Sequence, residues 1–202
     1  MERKGICMEK REFSSKQELR NRYLNYRNNL STKERKEKSA RIWEQLKMEE
    51  AFKQARVLLV YMDYRSEVMT TGLVEEQLAL REKRIFAPKV EGMDIQFYEV
   101  FCMEDFEIGY QGIREPRKDH ARLFTKETLR EMDCMILVPG AVFDRQKGRM
   151  GYGKGFYDRY LAAFPGLYSA ALAFECQVTK KVPVEAHDIR PDLIITDTEV
   201  IR

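Results

Sequence analysis

The sequence predicts an α/β fold, a single three-layer α/β/α domain with a mainly parallel sheet and its N-terminal helices packed on it. Three observations predict it. Short apolar runs, β-branched in part, alternate along the chain with segments whose apolar residues recur at helical spacing, the pattern of strands joined through helices. The longest of these runs are continuously apolar rather than alternating, as expected of strands covered on both faces. The chain has 202 residues, of which 44% are hydrophobic and 34% charged, enough for one domain with a full core. We read residues 1–202 as that one domain, with 1–14 a loosely ordered N-terminal extension.

The elements follow in order. Ser14 and Ser15 are caps for a helix whose apolar residues Leu19, Tyr23, Tyr26 and Leu30 recur at helical spacing. Ser31-Thr32-Lys33-Glu34 matches a capping box, in which Ser and Glu satisfy each other's free backbone donors. The helix it opens runs to about Lys47 and buries Ile42, Trp43 and Leu46. Residues 57–61 form an apolar strand, 70–84 a helix, and 85–87 and 95–100 short strands. The section 104–122 holds Gly109, Gly112 and Pro116 and reads as a long loop or irregular structure over the sheet. A helix at Lys126–Glu131, a strand at 135–138, a helix at 156–164 and strands at 169–174 and 193–196 complete the series. Ligands of such sheets bind beyond the carboxyl ends of the strands, so the residues after Val138 are the first place to look.

Composition narrows the function. No apolar run approaches the roughly 18 residues of a membrane helix, and the charged start MERKGICMEKREF has no apolar stretch behind it, so no signal peptide is expected. Cys7, Cys102, Cys134 and Cys176 are scattered without a CxxC pair, and only His120 and His187 are present. Reduced thiols in a cytoplasmic protein are the expectation, and a zinc site built from nearby ligands is not. The net charge is only +3, but residues 1–41 carry 13 Lys/Arg against 6 Asp/Glu, whereas the remainder carries 23 against 27. A nucleic-acid binder is more often basic throughout.

The segment after Val138 is Pro139-Gly140-Ala141-Val142-Phe143-Asp144, followed by Gly148-Arg149-Met150-Gly151-Tyr152-Gly153-Lys154-Gly155-Phe156-Tyr157-Asp158. Four glycines fall in eight residues, and residues 145–159 hold five Lys/Arg and one Asp. Glycines let backbone N–H groups close on a bound anion, Lys and Arg add charge, and a helix starting just after Gly155 points its N-terminus at the same place. This is the composition of a phosphate cradle; the same composition also suits a glycine-rich surface loop with solvated basic residues. Neither standard nucleotide motif fits. Gly155 stands where a P-loop needs Ser or Thr, the segment starts ten residues beyond its strand, and the third glycine of a dinucleotide fingerprint is misplaced.

The run LVPGAVFDRQKGRMGYGKGFYDRYL, residues 137–161, closely resembles the signature of the 5-formyltetrahydrofolate cyclo-ligase family, the methenyltetrahydrofolate synthetases. Weaker matches fall in the expected order: a K-x-x-L-R helix (Lys16, Leu19, Arg20), Glu67-Val-x-Thr70, and Ala171 to Gln177 leading to Val-Pro-Val and Asp188. The resemblance spans about residues 15–200. It implies cyclisation of 5-formyltetrahydrofolate, with or without a polyglutamate tail, to 5,10-methenyltetrahydrofolate, using ATP and Mg2+ and releasing ADP and phosphate. The γ-phosphoryl group would pass to the formyl oxygen to give an N5-iminium phosphate, which N10 attacks. Such chemistry depends on positioning and charge neutralisation rather than a protein nucleophile, and no nucleophilic triad is evident.

The resemblance assigns roles residue by residue. Lys154 and Arg149 would be catalytic. ATP would lie against Lys16, Arg20, Arg149, Met150, Gly151, Tyr152, Gly153, Lys154, Gly155, Phe156 and Tyr157. The folate would meet Met62, Glu67, Tyr152, Gly153, Lys154, Gly155 and Phe156, with Glu67 accepting paired N–H bonds from the pterin. Asp158 and Asp188 would hold Mg2+, which takes one or two carboxylates plus phosphate oxygens and water; Asp144 would at most support the site indirectly. Tyr152 stands where some relatives carry Arg, and Phe156 where Tyr is common. The implied partners are small molecules, with no nucleic acid or membrane, and a monomer or weak dimer. Two other readings compete: a non-catalytic nucleotide- or RNA-binding paralogue, and an enzyme of the same fold acting on another substrate.

Overall fold

The computed structural model describes residues 15–202; the extension at 1–14, with Cys7, lies outside the described residues. Two helices lead. α1 (Lys16–Asn28) starts at Ser15, whose side chain accepts from the Glu18 N–H. α2 (Thr32–Met48) starts at the complete Ser31/Glu34 capping box. Replacing a Ser cap by Ala costs about 1 kcal/mol, so Ser31→Ala should lower the melting temperature by roughly 2–4 °C; an unchanged melt would show that the box contributes nothing.

A short α3 (Glu50–Gln54) leads into β1 (Val57–Leu59), followed by α4 (Thr71–Leu80), β2 (Arg84–Glu91) and β3 (Asp94–Val100). β4 (Phe106–Ile108) and β5 (Arg114–Pro116) come next, then α5 (Lys126–Glu131) and β6 (Cys134–Val138). β7 (Val142–Asp144) and β8 (Arg149–Met150) precede α6 (Phe156–Ala163), and β9 (Tyr168–Leu172), β10 (Val178–Thr179), β11 (Leu193–Ile195) and β12 (Val200–Ile201) finish the chain.

The central sheet has seven strands in the order β12-β11-β9-β6-β1-β2-β3. It is parallel from β11 to β2 and antiparallel at both edges. Successive side chains of a strand face opposite ways, and the core divides accordingly. Leu58, Val60, Met135 and Leu137 pack with Ile42 and Leu46 of α2 and Leu73 and Val74 of α4. Val57, Leu59, Ile136 and Val138 pack with Tyr160 and Leu161 of α6 and with Leu129 of α5. Helices thus cover both faces, the expected three layers. Among the described residues no helix is long and apolar enough to cross a membrane, and Cys102, Cys134 and Cys176 are free thiols.

Several expectations are corrected. The helix expected over 70–84 stops at Leu80, where Arg81 turns left-handed at φ 55°. β2 runs on through Pro88 to Glu91, because β1 pairs only with residues Arg84 to Phe86 and asks no N–H of Pro88. The loop expected over 104–122 contains the β4–β5 hairpin, paired from Phe106↔Pro116 to Ile108↔Arg114. Its strands have three residues each, half of them exposed, so no apolar run marks them. A second, three-stranded sheet, β10-β7-β8, was also not foreseen. On α1 the expected stripe holds at Leu19, which is buried, and at Tyr23, which packs against the same cluster, but Tyr26 is 47% exposed and Arg27 is buried beside it; Leu30, beyond the helix end, packs against the core.

Candidate active site

A cavity of about 370 Å³ opens beyond the carboxyl ends of β1, β2 and β6, between the segment after β1, the β4–β5 hairpin, α1 and the glycine-rich loop. Tyr61, Met62 and Glu67 line it from one side, Pro88 and Val90 from β2, and Tyr110, Gln111 and Ile113 from the hairpin. Arg149, Gly151, Tyr152, Lys154, Gly155, Phe156, Tyr157 and Asp158 close the other side. A second cavity, about 500 Å³, lies at the opposite, amino end of the sheet. Two of its four basic side chains, those of Lys83 and Arg84, are tied to the fold: Lys83 donates to the Phe52 and Ala55 carbonyls and Arg84 makes two 2.7 Å bonds to Glu99.

The glycine-rich loop is shaped by Asp144, at the end of β7. Its Oδ1 accepts from the N–H groups of Gln146 (2.9 Å) and Gly148 (2.7 Å), and its Oδ2 from Val182 (2.6 Å). A Cβ on Gly148 would lie 2.5 Å from Asp144 Oδ2, so only glycine fits. β7 and β8 then pair, and Met150 enters an apolar cluster with Leu19, Ala141, Val142 and Val182. That cluster joins α1 to the loop. Gly155 is the N-cap of α6 in the left-handed region at φ 65°, and no side chain caps the helix there. Its first-turn N–H groups are therefore not taken by a capping side chain.

Arg149 is buried, its side chain 2% exposed; Nη2 donates to Asp158 Oδ1 at 2.6 Å and Nη1 to the Pro139 carbonyl at 3.3 Å. Its Nε has no hydrogen-bond partner among the described residues. Asp158 Oδ1 also accepts from the Ile189 N–H, which brings the segment carrying Asp188 to the start of α6. Asp188 faces Lys16 at 3.4 Å and accepts from the Glu185 N–H at 2.7 Å. Burial opposes its ionisation, but that N–H and the Lys16 ammonium hold its carboxyl below the usual range. Burial also opposes the Lys16 charge, and Glu185 and Asp188 more than offset it. Arg20 Nε donates to the Gly151 carbonyl at 2.9 Å, and its guanidinium lies beside Gly153. Lys154 is exposed and makes no side-chain ion pair or hydrogen bond among the described residues.

On the other wall, Glu67 is 6% exposed. Its Oε2 accepts from the Tyr64 N–H at 2.9 Å and its Oε1 from the Tyr152 hydroxyl at 2.5 Å. Burial pushes the carboxyl above the usual range, and the Tyr152 hydroxyl and Arg27 charge draw it partway back. Tyr152 is 43% exposed as a residue, yet its hydroxyl is bonded between Glu67 and Arg27 and held neutral by desolvation and the Glu67 charge.

The expected site residues thus fall into groups. Met62, Glu67, Arg149, Gly151, Tyr152, Lys154, Gly155, Phe156, Tyr157 and Asp158 share the cavity. Lys16, Arg20, Gly153 and Asp188 lie outside its lining, tied to it through α1 and the loop, and the Met150 side chain is in the core. Arg27, Tyr64 and the hairpin were missed. The signal for Arg27 was its position two turns after Leu19, a charge on an apolar helix face. Among the described residues no group of three or more His, Cys, Asp or Glu side chains could hold a metal ion.

A sequence model described as the 5-formyltetrahydrofolate cyclo-ligase family matches residues 12–197. The probable 5-formyltetrahydrofolate cyclo-ligase of Schizosaccharomyces pombe is 29% identical over 168 residues, covering 75% of this chain and 79% of that one. The 5-formyltetrahydrofolate cyclo-ligase of Escherichia coli K12 is 27% identical, covering 72% and 80% respectively. The NMR structure of Aquifex aeolicus 5,10-methenyltetrahydrofolate synthetase superposes with a TM-score of 0.80 at 35% identity, over 93% of this chain and 92% of that one. The match runs through α1, the central sheet and the glycine-rich loop alike, and the chain belongs to the 5-formyltetrahydrofolate cyclo-ligase family.

Proposed function

We propose that this protein closes 5-formyltetrahydrofolate to 5,10-methenyltetrahydrofolate with Mg-ATP, releasing ADP and phosphate. One observation carries the reading: a lysine in a glycine-rich loop, without an ion pair among the described residues, and a buried carboxylate line the same cavity. The lysine suits a transferring phosphoryl group, and the carboxylate suits the paired N–H donors of a pterin.

An amide oxygen is a poor leaving group. Transfer of the γ-phosphoryl group to the formyl oxygen breaks the bond to ADP and gives an iminium phosphate; N10 then attacks the formyl carbon and gives up its proton, and phosphate departs with that oxygen, taking up the proton directly or through solvent. Lys154, with the Gly153 and Gly155 amides and the uncapped start of α6, neutralises charge on the moving group. Arg149 holds Asp158 and keeps a spare buried donor in Nε for the nucleotide side. Arg20 and Lys16 approach the nucleotide from α1. Asp158 and Asp188, each with one carboxylate oxygen that accepts no hydrogen bond among the described residues, would hold the magnesium that accompanies ATP, an ion satisfied by one or two carboxylates with phosphate oxygens and water. Met62 and Phe156 offer apolar surface to the folate rings.

Purified protein given 5-formyltetrahydrofolate and Mg-ATP should form methenyltetrahydrofolate, followed by its near-ultraviolet absorbance, with ADP released in equal amount. A folded protein that makes no ATP-dependent product would overturn the reading. Glu67→Gln keeps the side-chain shape but loses an anion, and should raise KM for the folate about tenfold or more while leaving KM for ATP unchanged.

A further inference from the structure

Arg27 is 4% exposed, yet no carboxylate lies within ion-pair distance of it among the described residues. Burying a guanidinium without a partner is costly, so its surroundings need an account. Nε donates to the Ser66 hydroxyl at 2.9 Å, which in turn donates to Asn28 Oδ1 at 2.5 Å. Nη1 donates to the Gly140 carbonyl at 3.3 Å and to the Tyr152 hydroxyl at 2.5 Å. Having accepted from Arg27, that hydroxyl donates its own proton to Glu67 Oε1, while the Tyr64 N–H occupies Oε2. With the hydroxyl proton directed to Glu67, both of its oxygens accept, and the carboxylate satisfies the Tyr64 N–H and the Tyr152 hydroxyl together.

We propose that Arg27, acting through the Tyr152 hydroxyl, is a positioning residue that holds the Glu67 carboxylate as an oriented anion in the cavity wall. The kinetic part of this inference rests on the proposed folate reaction; the electrostatic part does not. The groups facing Glu67 come from four elements. Arg27 on α1 and the Tyr152 hydroxyl on the glycine-rich loop favour the anion, Asp63 after β1 opposes it, and the neutral hydroxyls of Tyr61 and of Tyr157 on α6 stand near it. Burial opposes the anion most of all. Removing that cation therefore shifts Glu67 toward its protonated form, which no longer offers two acceptor oxygens to N–H donors. The sign is fixed: the Glu67 titration moves to higher pH, and folate affinity is lost first at the acid end.

A purely structural arginine at such a site behaves differently: its replacement would show in the melting curve, through the Ser66, Gly140 and Tyr152 acceptors left without a donor, but would leave the Glu67 titration and the pH profile alone. The test uses Arg27→Met, Arg27→Lys, Tyr152→Phe and the Arg27→Met/Tyr152→Phe double variant, each checked for folding by its melting curve. The Glu67 side-chain carboxyl resonance, carbon-13 labelled and assigned by its loss in Glu67→Gln, is titrated in ligand-free protein. In Arg27→Met its midpoint should move to higher pH, and Arg27→Lys should restore part of the difference. In the assay KM for the folate should rise about tenfold, the loss of one aligned charged hydrogen bond, with kcat and KM for ATP held. Tyr152→Phe should have a similar effect, and the double variant little more than either. An unmoved Glu67 midpoint, or effects that add in the double variant, would overturn the role given to Arg27. If the wild-type protein makes no methenyl product, the proposed function fails while the titration still decides this inference.

Discussion

Lys154→Ala is expected to cut turnover by about 100- to 1,000-fold, the loss typical of removing one preorganised charge-stabilising donor from a reaction centre. The melting temperature should stay within about 1 °C of wild type, because an exposed side chain away from caps and buried networks contributes little to stability. Its position explains both halves. The backbone around Lys154 is held firmly: Arg159 Nη1 donates to its carbonyl at 2.9 Å, and Gly155 beside it begins α6. The side chain makes no ion pair among the described residues, so its charge is available to a ligand. Steady-state assays with saturating 5-formyltetrahydrofolate and Mg-ATP would read the effect in kcat. Near-normal turnover would remove Lys154 from the phosphoryl-transfer step.

Asp158→Ala should act in the opposite way, through stability. Arg149 and Asp158 form a 2.6 Å ion pair whose side chains are 2% and 16% exposed, so screening by water is slight. Removing one partner of a buried pair leaves the other charge uncompensated and costs about 3–5 kcal/mol. For a chain of this size that is a fall in melting temperature of roughly 10 °C or more. Asp158 also accepts from the Ile189 N–H, so the loss should loosen the segment that carries Asp188. The double variant Arg149→Met/Asp158→Leu should recover most of the stability, because an apolar pair of similar volume can replace a buried ion pair, and it should stay inactive. Calorimetry or circular dichroism would read both, and a single variant that melts like wild type would show that the pair carries no structural load.

How much of this was readable beforehand depends on how far apart in the chain the partners lie. The central strands were legible because both faces of Val57 to Leu59 and Cys134 to Val138 are buried, leaving continuous apolar runs. The capping box was legible because its two residues are three apart. The glycine-rich loop was legible for the same reason, its four glycines and its lysine being contiguous. The β4–β5 hairpin and the β10-β7-β8 sheet were not: their strands have only two or three residues, too few for a period-2 pattern to show, and β10 is held by pairing with a distant segment, Val178 with Phe143.

The sequence by itself determined the class of fold, the family and the segment most suited to phosphate, all of which rest on local pattern. Only the tertiary structure decided what each charge does. It placed Arg149 against Asp158 rather than in open solvent, made Asp144 the organiser of the loop through three backbone donors, and brought Arg27 across 40 residues of chain to Glu67 by way of Tyr152. The reason is physical. A buried charge is tolerable only beside partners that solvate it, and those partners come from whichever elements the folded sheet happens to bring within hydrogen-bonding distance.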